Sequence, residues 1–388
     1  TSEVLAQGQA DRIGLPDARF QHDVRGREAF LDKTPLSSHY DAVHALLTHL
    51  VDGRQGILTD TKEIGGVGHR VVHGGEHFRT SVVVDPAIRK ILESTKKIAP
   101  LHNPPNLMGI DVCTNLMPGV PQVAVFDTAF HQTMPERAYL YGLPYEYYLD
   151  RGIRRYGFHG TSHRFVSALA SEWLTTQKGI PVERQRVVTC HLGNGSSMAA
   201  VKGGKSIDTS MGLTPLEGLL MGTRCGDLDP AIIPFLTEQM NLAPKEADRI
   251  LNKNSGLLGI SGVSSDMRDV KAAALATPPN HRAQAAIEVF CYRITKYIGA
   301  YAAALGGIDA LVYTAGIGEN EPMVRQKVCD SLGFLGLSVS SAKNEALDKR
   351  VPVSDISADG ATAAVLVVPT NEELTIARDT VDIISNGA

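Results

Sequence analysis

At 388 residues the chain is long enough for two or three domains of roughly 150 residues each. Hydrophobic residues make up 43% and charged residues 21%, an ordinary globular mixture that excludes wholesale disorder and a collagen-like or coiled-coil rod. The net charge of -4 removes the broad positive field that nucleic-acid binding needs, so no nucleic-acid partner is expected, while a local anion site stays open.

The chain opens Thr1-Ser2-Glu3-Val4, with no initiator Met and no basic stretch leading into an apolar one. Nowhere does an apolar run approach the roughly 18 residues of a membrane span. A cytoplasmic protein with no membrane partner is the expectation. The five cysteines (Cys113, Cys190, Cys225, Cys291 and Cys329) are odd in number and form no C-x-x-C pair, so they read as reduced thiols.

Residues 40–51 read as a helix, and the short apolar runs 67–72, 82–84 and 123–126 read as strands, which together predict α/β layering. Asn103-Pro104-Pro105 and Thr277-Pro278-Pro279-Asn280 read as loops. Strands at 187–190 and 198–201 flank a Gly/Ser loop, and Lys202-Gly203-Gly204-Lys205 reads as a hairpin turn into a further strand. From His281 to Leu305, apolar residues at Ile287, Phe290, Ile294, Ile298, Tyr301 and Leu305 make a helical stripe, for the core or for a subunit interface. A strand at 311–313 leads into a glycine loop, with a helix beginning near Pro322. Thr370 and Glu373 have the spacing of a capping box for the last helix, which would leave Glu372 free.

Several of these segments could carry chemistry. In His191-Leu192-Gly193-Asn194-Gly195-Ser196-Ser197, glycines let backbone amides approach a ligand and hydroxyls add donors, which suits a phosphate; a plain hairpin is the alternative. It is not a Walker loop, since no G-K-[ST] follows. Ala315-Gly316-Ile317-Gly318-Glu319-Asn320 joins strand to helix, but Glu321 stands where a dinucleotide fingerprint needs its third glycine. Asp127 closes a buried strand at its carboxyl end, where α/β proteins place ligands; it reads as a base, a metal-orienting group or a turn cap. Arg70 and Arg224 are flanked by small residues, and guanidinium forks suit carboxylates and phosphates. His69, His73 and His77 recur every fourth residue, as do His159 and His163, but glycines interrupt the first set and neither set has the H-E-x-x-H glutamate of a zinc helix. His159 reads as a loop imidazole before a capped helix, able to donate to an anion.

Taken together, these segments closely resemble the acetokinase family of acetate and propionate kinases over nearly the whole chain. The strings that carry the resemblance are Gly68-His69-Arg70-Val71-Val72-His73-Gly74-Gly75, Val125-Phe126-Asp127-Thr128-Ala129-Phe130-His131-Gln132 and Arg155-Tyr156-Gly157-Phe158-His159-Gly160-Thr161-Ser162-His163. Asp208-Thr209-Ser210-Met211-Gly212, Met221-Gly222-Thr223-Arg224, Thr314-Ala315-Gly316-Ile317-Gly318-Glu319-Asn320 and Pro369-Thr370-Asn371-Glu372-Glu373 add to it.

The resemblance implies an α/β protein with duplicated actin-like ATPase (ribonuclease H-like) domains around a central cleft. Residues 1–131, completed by a C-terminal helix at 373–388, would form the acyl-substrate domain, and residues 132–372 the nucleotide-binding and dimerisation domain. It implies reversible transfer of the terminal phosphoryl group of ATP to a short-chain carboxylate, with Mg2+ or Mn2+, in a homodimer. Asp127, His159 and Arg224 take the catalytic positions. Arg70, Val72, Leu101, Phe158 and Pro215 would hold the acyl substrate. The nucleotide would be held by His191, Leu192, Gly193, Asn194 and Gly195, by Asp266-Met267-Arg268 and by Gly316, Ile317, Gly318, Glu319 and Asn320, with the metal on Glu372. Val72 is larger than the residue propionate-specialised relatives tend to carry there, so acetate is the expected substrate. The family opens with a strand and turn of the form N-x-G-S-S-S-x-K, whereas Val4-Leu5-Ala6-Gln7-Gly8 resembles its third strand. The first domain is therefore expected to lack its N-terminal strand or strands, and a catalytically silent nucleotide-binding protein is the alternative from another class. Cys225 stands where the family more often has Ser.

Overall fold

The structure is a computed structural model that describes residues 3–33, 36–54, 56–99, 102–348 and 350–386. The chain divides into two compact units, one comprising Thr1–Ala129 with Glu372–Ala388 and the other Phe130–Asn371.

The first unit holds two three-stranded sheets. Strands β1 (Ala6–Asp11), β2 (Arg19–Val24) and β3 (Phe30–Asp32) form an antiparallel meander. On β2 the period of two is plain: Phe20, His22 and Val24 are buried while Arg19 and Gln21 face outward. Helix α1 (His39–Val51) follows, capped by Ser38, whose hydroxyl accepts from the Asp41 amide.

The second sheet is built from β4 (Val67–Val71), β5 (Val82–Val83) and β6 (Gln122–Phe126), with α2 (Pro86–Ser94) and α3 (Asn103–Leu116) between β5 and β6 in the chain. Strand β6 lies in the middle, parallel to β4 and antiparallel to β5, and all five of its residues are buried. Val71, Phe78, Leu92, Leu107, Ile110, Ala124 and Phe126 form the core here, with Phe78 stacked on Phe126 at 4.4 Å. The loop expected at Asn103-Pro104-Pro105 is instead the start of α3. Prolines are tolerated there because the first-turn N–H groups have no intrahelical partner to lose. The C-terminal helix, Glu372–Asn386, packs on β4 so closely that a side chain at Gly68 would collide with Thr380 and Ile376.

The second unit centres on one six-stranded sheet. After helix α4 (Gly160–Lys178), strands β7 (Arg186–Leu192), β8 (Ser196–Lys202) and β9 (Lys205–Thr209) form an antiparallel meander. The expected hairpin at Lys202 to Lys205 is present as a two-residue turn, with Gly203 and Gly204 both at positive φ. Helices α5 (Met267–Ala274) and α6 (His281–Leu305) precede β10 (Ala310–Thr314), which is followed by α7 (Ala315–Asn320) and α8 (Pro322–Cys329). Strands β11 (Ser354–Asp355) and β12 (Ala364–Val367) complete the sheet in the order β11-β12-β10-β7-β8-β9, with β10 parallel to both β7 and β12.

Helices cover both faces, so the strands are apolar almost throughout. Val187, Ala199, Val312 and Leu366 face Val166, Ala170 and Leu174 of α4, while Val188, Met198, Leu311 and Val365 face the core that contains α6. The stripe of α6 from Ile287 to Leu305 is no more than 6% exposed, which settles its alternative readings: it is consumed by the core and is not a surface for a second subunit. The expected glycine loop after β10 is also corrected. Residues Ala315–Asn320 are themselves helical, with Glu319 accepting from the Ala315 amide and Asn320 donating to the Gly316 carbonyl. None of the described helices is long and apolar enough to cross a membrane.

Candidate active site

In the first unit, the chemistry gathers at the carboxyl ends of β4 and β6. The amide of Asp127 donates to the Val71 carbonyl at 3.0 Å and carries the parallel ladder one residue past β6. Arg70 is in register with Val125, so Asp127, two residues on, shares its face of the sheet. Arg70 donates from Nε to Oδ1 of Asp127 at 3.0 Å and from Nη2 to Oδ2 at 2.7 Å, a bidentate fork on a carboxylate only 1% exposed. The charge of Asp127 holds the Arg70 guanidinium well above its usual range. Arg70 is thus tied to a protein carboxylate, and what it offers outward is the half-exposed remainder of its fork.

Glu372 stands in the first turn of the C-terminal helix, its carboxylate 3.9 Å from Arg70 Nε. The helix begins one residue later than a cap at Thr370 would place it, and the Thr370 hydroxyl pairs with Ser162 Oγ at 2.8 Å instead. Oxygen Oε2 of Glu372 is buried with no hydrogen-bond partner among the described residues. Burial raises the Glu372 carboxyl above the usual carboxylate range, and Arg70 opposes the shift. A buried carboxylate oxygen with no donor beside Asp127 is the donor chemistry that suits a hard divalent cation.

Val72 is half-buried, its amide donating to Asn106 Oδ1 at 3.1 Å, and Leu101 lies outside the described residues. In the first histidine set, His69 pairs with Gln122 at 2.7 Å and His73 Nδ1 accepts from the Gly75 amide. Among the described residues no three His, Cys, Asp or Glu are grouped to hold a metal.

In the second unit the phosphate-binding segment is shorter than its sequence suggests. The β7–β8 ladder runs to Leu192 opposite Ser196, so His191 and Leu192 are strand residues and the loop is Gly193, Asn194 and Gly195 alone. Leu192 is fully buried in the core. The turn carrying Arg224 is fastened to this loop by the Gly222 amide, which donates to the Asn194 carbonyl at 2.9 Å. Arg224 Nη1 donates to the Pro215 carbonyl at 2.8 Å, yet no carboxylate pairs with the guanidinium among the described residues. Burial alone lowers its pKa. A side chain at Gly195 would sit 3.5 Å from Nη1 and Nη2 of Arg224 and 3.5 Å from Cε1 of His159, so both converge on the space that this glycine leaves open.

His159 takes the N-cap position of α4 at φ 55°, in the left-handed region, but its side chain does not cap the helix. Its ring stacks on His191 at 4.1 Å, and its Nδ1 lies 2.8 Å from Ser197 Oγ. Phe158 is 2% exposed, its carbonyl 3.0 Å from Nε2 of His131. Burial pushes the Cys225 thiol up to about 11, which keeps its thiolate scarce near neutral pH.

Beside the loop lies a cavity of about 540 Å3 lined by Gly193, Asn194, Asp266, Met267, Arg268, Gly316, Ile317 and Asn320, together with Ser265 and Glu321. Three segments named from sequence therefore share one concavity. His191, Leu192, Gly195, Gly318 and Glu319 do not line it. Glu319 is spent on the amides of Ala315 and Thr370, and the Gly318 carbonyl accepts from buried Arg325. Sequence reasoning missed Ser265, Glu321 and the support of His159 by Ser197, His163 and Thr189. The available signal was alternation: Thr189, His191 and Ser197 are polar residues on one face of otherwise apolar strands.

The sequence model of the acetokinase family matches residues 1–378. A protein named acetate kinase from Treponema denticola is 53% identical over 382 residues, covering 98% of this chain and 94% of its own length. Another so named, from Alkaliphilus metalliredigens, is 52% identical over the same span. The crystal structure of Porphyromonas gingivalis acetate kinase matches with a TM-score of 0.90 at 45% identity, and that of a propionate kinase from Francisella tularensis with 0.89 at 39%; each covers 98% of this chain and 94% of the other.

Proposed function

This chain belongs to the acetokinase family, and from that membership we propose that it transfers the terminal phosphoryl group of ATP to acetate, giving acetyl phosphate and ADP, and runs the reverse reaction. The observation that carries the reading is the convergence on Gly195 of His159 and of Arg224, which has no carboxylate partner among the described residues, in a loop that also lines the cavity. Phosphoryl transfer asks a protein for positioning and for neutralisation of charge on the equatorial oxygens, and a guanidinium with no carboxylate of its own is suited to that.

The two residue sets supply complementary halves of the reaction. In the second unit, Arg224 and His159 donate to the transferred group while the cavity holds the nucleoside. In the first, Arg70 orients the acetate carboxylate. Acetate is already ionised near pH 7, so Asp127 need not remove a proton; it fixes the Arg70 fork instead. Glu372 and Asp127 would hold Mg2+ or Mn2+, which when bound neutralises phosphate charge. The strand order of the second unit, an antiparallel meander extended by parallel strands, supports the duplicated actin-like reading. The protein is read as a cytoplasmic homodimer whose contact surface lies elsewhere than the α6 stripe, and light scattering that finds only monomer would refute the assembly.

The Francisella propionate kinase favours a second reading in which propionate is preferred. The relatives named acetate kinase, at higher identity, together with Val72, favour acetate. The test is hydroxamate detection of acyl phosphate from magnesium ATP with acetate or propionate. Product with acetate at the higher kcat/KM supports the proposal, a higher value for propionate replaces it with the second reading, and no product from either leaves a silent nucleotide-binding protein.

A further inference from the structure

We infer that Arg155, Glu217 and Tyr141 form a strut that aims the Arg224 guanidinium by fixing the Pro215 carbonyl it donates to, which makes the three positioning residues for phosphoryl transfer. The inference deepens the proposed function and rests on Arg224 acting there.

The need for a strut comes from the chain itself. After β9 ends at Thr209, residues 210–231 form no helix or strand, and both Pro215 and Arg224 lie in this stretch. A segment of that length has no ladder of backbone bonds to hold it, so its backbone groups must be met by other means.

Arg155 supplies much of that hold. Its Nη1 donates to the carbonyls of Thr209 and Ser210 at 3.0 Å each and of Met211 at 3.3 Å, while Nη2 donates to Oε1 of Glu217 at 2.5 Å. The guanidinium therefore bridges the two ends of the span from Met211 to Glu217, with Pro215 between them. The pair is shielded, its side chains 16% and 31% exposed, so water screens it less than a surface ion pair. Tyr141 closes the same span: its hydroxyl donates to Oε2 of Glu217 and accepts from the Leu213 amide at 3.0 Å. Burial, and then the Glu217 charge, push that hydroxyl well above its usual range, so it keeps its proton as a donor. The groups meet over Gly212, where any side chain would collide with the Glu217 carboxylate and the Tyr141 hydroxyl.

The strut also joins this span to the residues that precede α4. The Gly212 carbonyl accepts from the amides of Tyr156 and Gly157 at 3.0 and 3.3 Å, and Arg155 stands four residues before His159. The segment with Phe158 and His159 and the span with Pro215 are thus one assembly, and Arg224 takes its direction from it. Arg224 Nη1 donates to the Pro215 carbonyl at 2.8 Å and lies 3.6 Å from Met221 Sδ, a weak acceptor. The backbone of the Arg224 turn is held from elsewhere: the Met221 and Gly222 carbonyls accept from the amides of Leu257 and Leu258 at 2.8 and 3.0 Å, and the Cys225 amide donates to the Leu251 carbonyl at 3.0 Å. Loss of the strut should leave the arginine in its turn and free only its head group. Glu217 gives one oxygen to Arg155 and the other to Tyr141, so it acts on the transferred group only through Arg224.

The test is a double-mutant cycle on the full-length protein, read by acyl phosphate formation from magnesium ATP and acetate. Glu217→Ala should lower kcat about thirtyfold with KM for ATP changed less than about twofold, because a misaimed catalytic group costs rate rather than binding. Glu217→Gln, which keeps an acceptor for Arg155, should recover the rate to within about threefold of wild type. Added to Arg224→Ala, Glu217→Ala should cost less than about twofold more, since the group it acts through is already gone. The same fractional loss in both backgrounds overturns the inference, as does a loss confined to KM. Should Glu217→Ala not fold, Tyr141→Phe, which removes one hydroxyl, takes its place in the cycle with a fall of about fivefold in the wild-type background. No fall with Tyr141→Phe overturns the inference. A second readout separates the strut from the function it rests on. In protein labelled with 15N-arginine, the Arg224 side-chain signals, assigned by their loss in Arg224→Ala, should show separate Nη groups in wild type and merged ones in Tyr141→Phe, as the head group turns freely. Unchanged signals overturn the strut, and they decide alone if Arg224→Ala leaves no rate to read. Should the signals merge but the wild type form no acyl phosphate, the strut stands and its part in phosphoryl transfer falls with the proposed function.

Discussion

Arg70 and Arg224 are the candidate functional cations of the first and second units, and the two units treat them in opposite ways. Arg70 is paired in a fork with Asp127, a carboxylate only 1% exposed, with Glu372 3.9 Å away, so this cluster carries its own countercharge. Arg224 has a carbonyl for a partner and, among the described residues, no carboxylate, and its neighbours are stacked, hydrogen-bonded imidazoles and hydroxyls. A cation that brings its own countercharge can orient a small anion without binding it tightly. A cation left uncompensated and partly desolvated is a cost in the empty protein that only an incoming anion repays. The difference is the reason to propose the polyanionic phosphoryl chain for the second unit and the singly charged carboxylate for the first.

The sharpest way to break that comparison is Arg224→Ala. Acyl phosphate formation should fall by about 10^3-fold or more, since arginines that stabilise phosphoryl transition states contribute on that scale. Thermal unfolding of the unliganded protein should change by no more than about 1 kcal/mol, the value of the single bond to Pro215 set against relief of a desolvated charge. A large loss of stability would mean that Arg224 is a structural cation like any other.

Asp127→Asn should behave differently, losing both activity and stability. An amide in place of the carboxylate turns a donor toward the Arg70 fork and leaves a half-exposed guanidinium uncompensated, at a cost of roughly 1–3 kcal/mol by urea denaturation. Unchanged stability would remove the distinction drawn between the two arginines.

The second unit also keeps His131 and His163 neutral by burial, and acid should expose this. Burial lowers His131 from 6.5 to about 4, and lowers His163 well below its usual range. Below pH 6.5 the unfolded chain therefore binds more protons than the folded one, so stability is full above that value and is lost as the pH falls toward 4. His131 alone accounts for roughly 3 kcal/mol over that window, since each tenfold change in proton affinity is worth about 1.4 kcal/mol. Chemical denaturation across pH 7.5 to 4 should show a steeper fall for wild type than for His131→Gln, which keeps a donor for the Phe158 carbonyl and cannot titrate. Equal slopes would place the acid sensitivity elsewhere.

Much of the fold was legible because local pattern and tertiary packing agree. Residues His281–Leu305 announced their helix through a stripe that the core then buries, and the Lys202 to Lys205 turn announced its hairpin through two glycines. The misses come where the same residues serve two structures: Pro104 and Pro105 suit a loop and a first helical turn equally, and the glycines of Ala315–Asn320 do not stop a turn that Glu319 ties down. In the site, Asp127 could be found by its place after a buried strand. The contact of Ser197 with His159 could not, because the two stand 38 residues apart and only the β7–β8 register and the start of α4 bring them together. Glu372 was singled out by the resemblance; the capping argument that agreed with it is not supported by the helix start at Glu372, whereas its oxygen without a partner among the described residues is a separate reason to single it out.

The smallest expected effect separates the two units at their apolar residues. Phe158, next to His159, is 2% exposed, and its carbonyl is engaged by His131, so shortening it would open the core and disturb the imidazoles at once. Val72, two residues beyond Arg70, is only half-buried, and removing its methyl groups leaves the bond from its amide to Asn106 in place. Val72→Ala should therefore make room for a longer acyl chain at little cost in stability. One methylene in an apolar pocket is worth about 1–3 kcal/mol, and a half-buried position takes the low end of that range, so the ratio of kcat/KM for propionate to that for acetate should rise about five- to tenfold, read from paired hydroxamate assays. A ratio that does not move would take Val72 out of the acyl-binding set and leave Arg70 holding the carboxylate without help from the side chain two residues along.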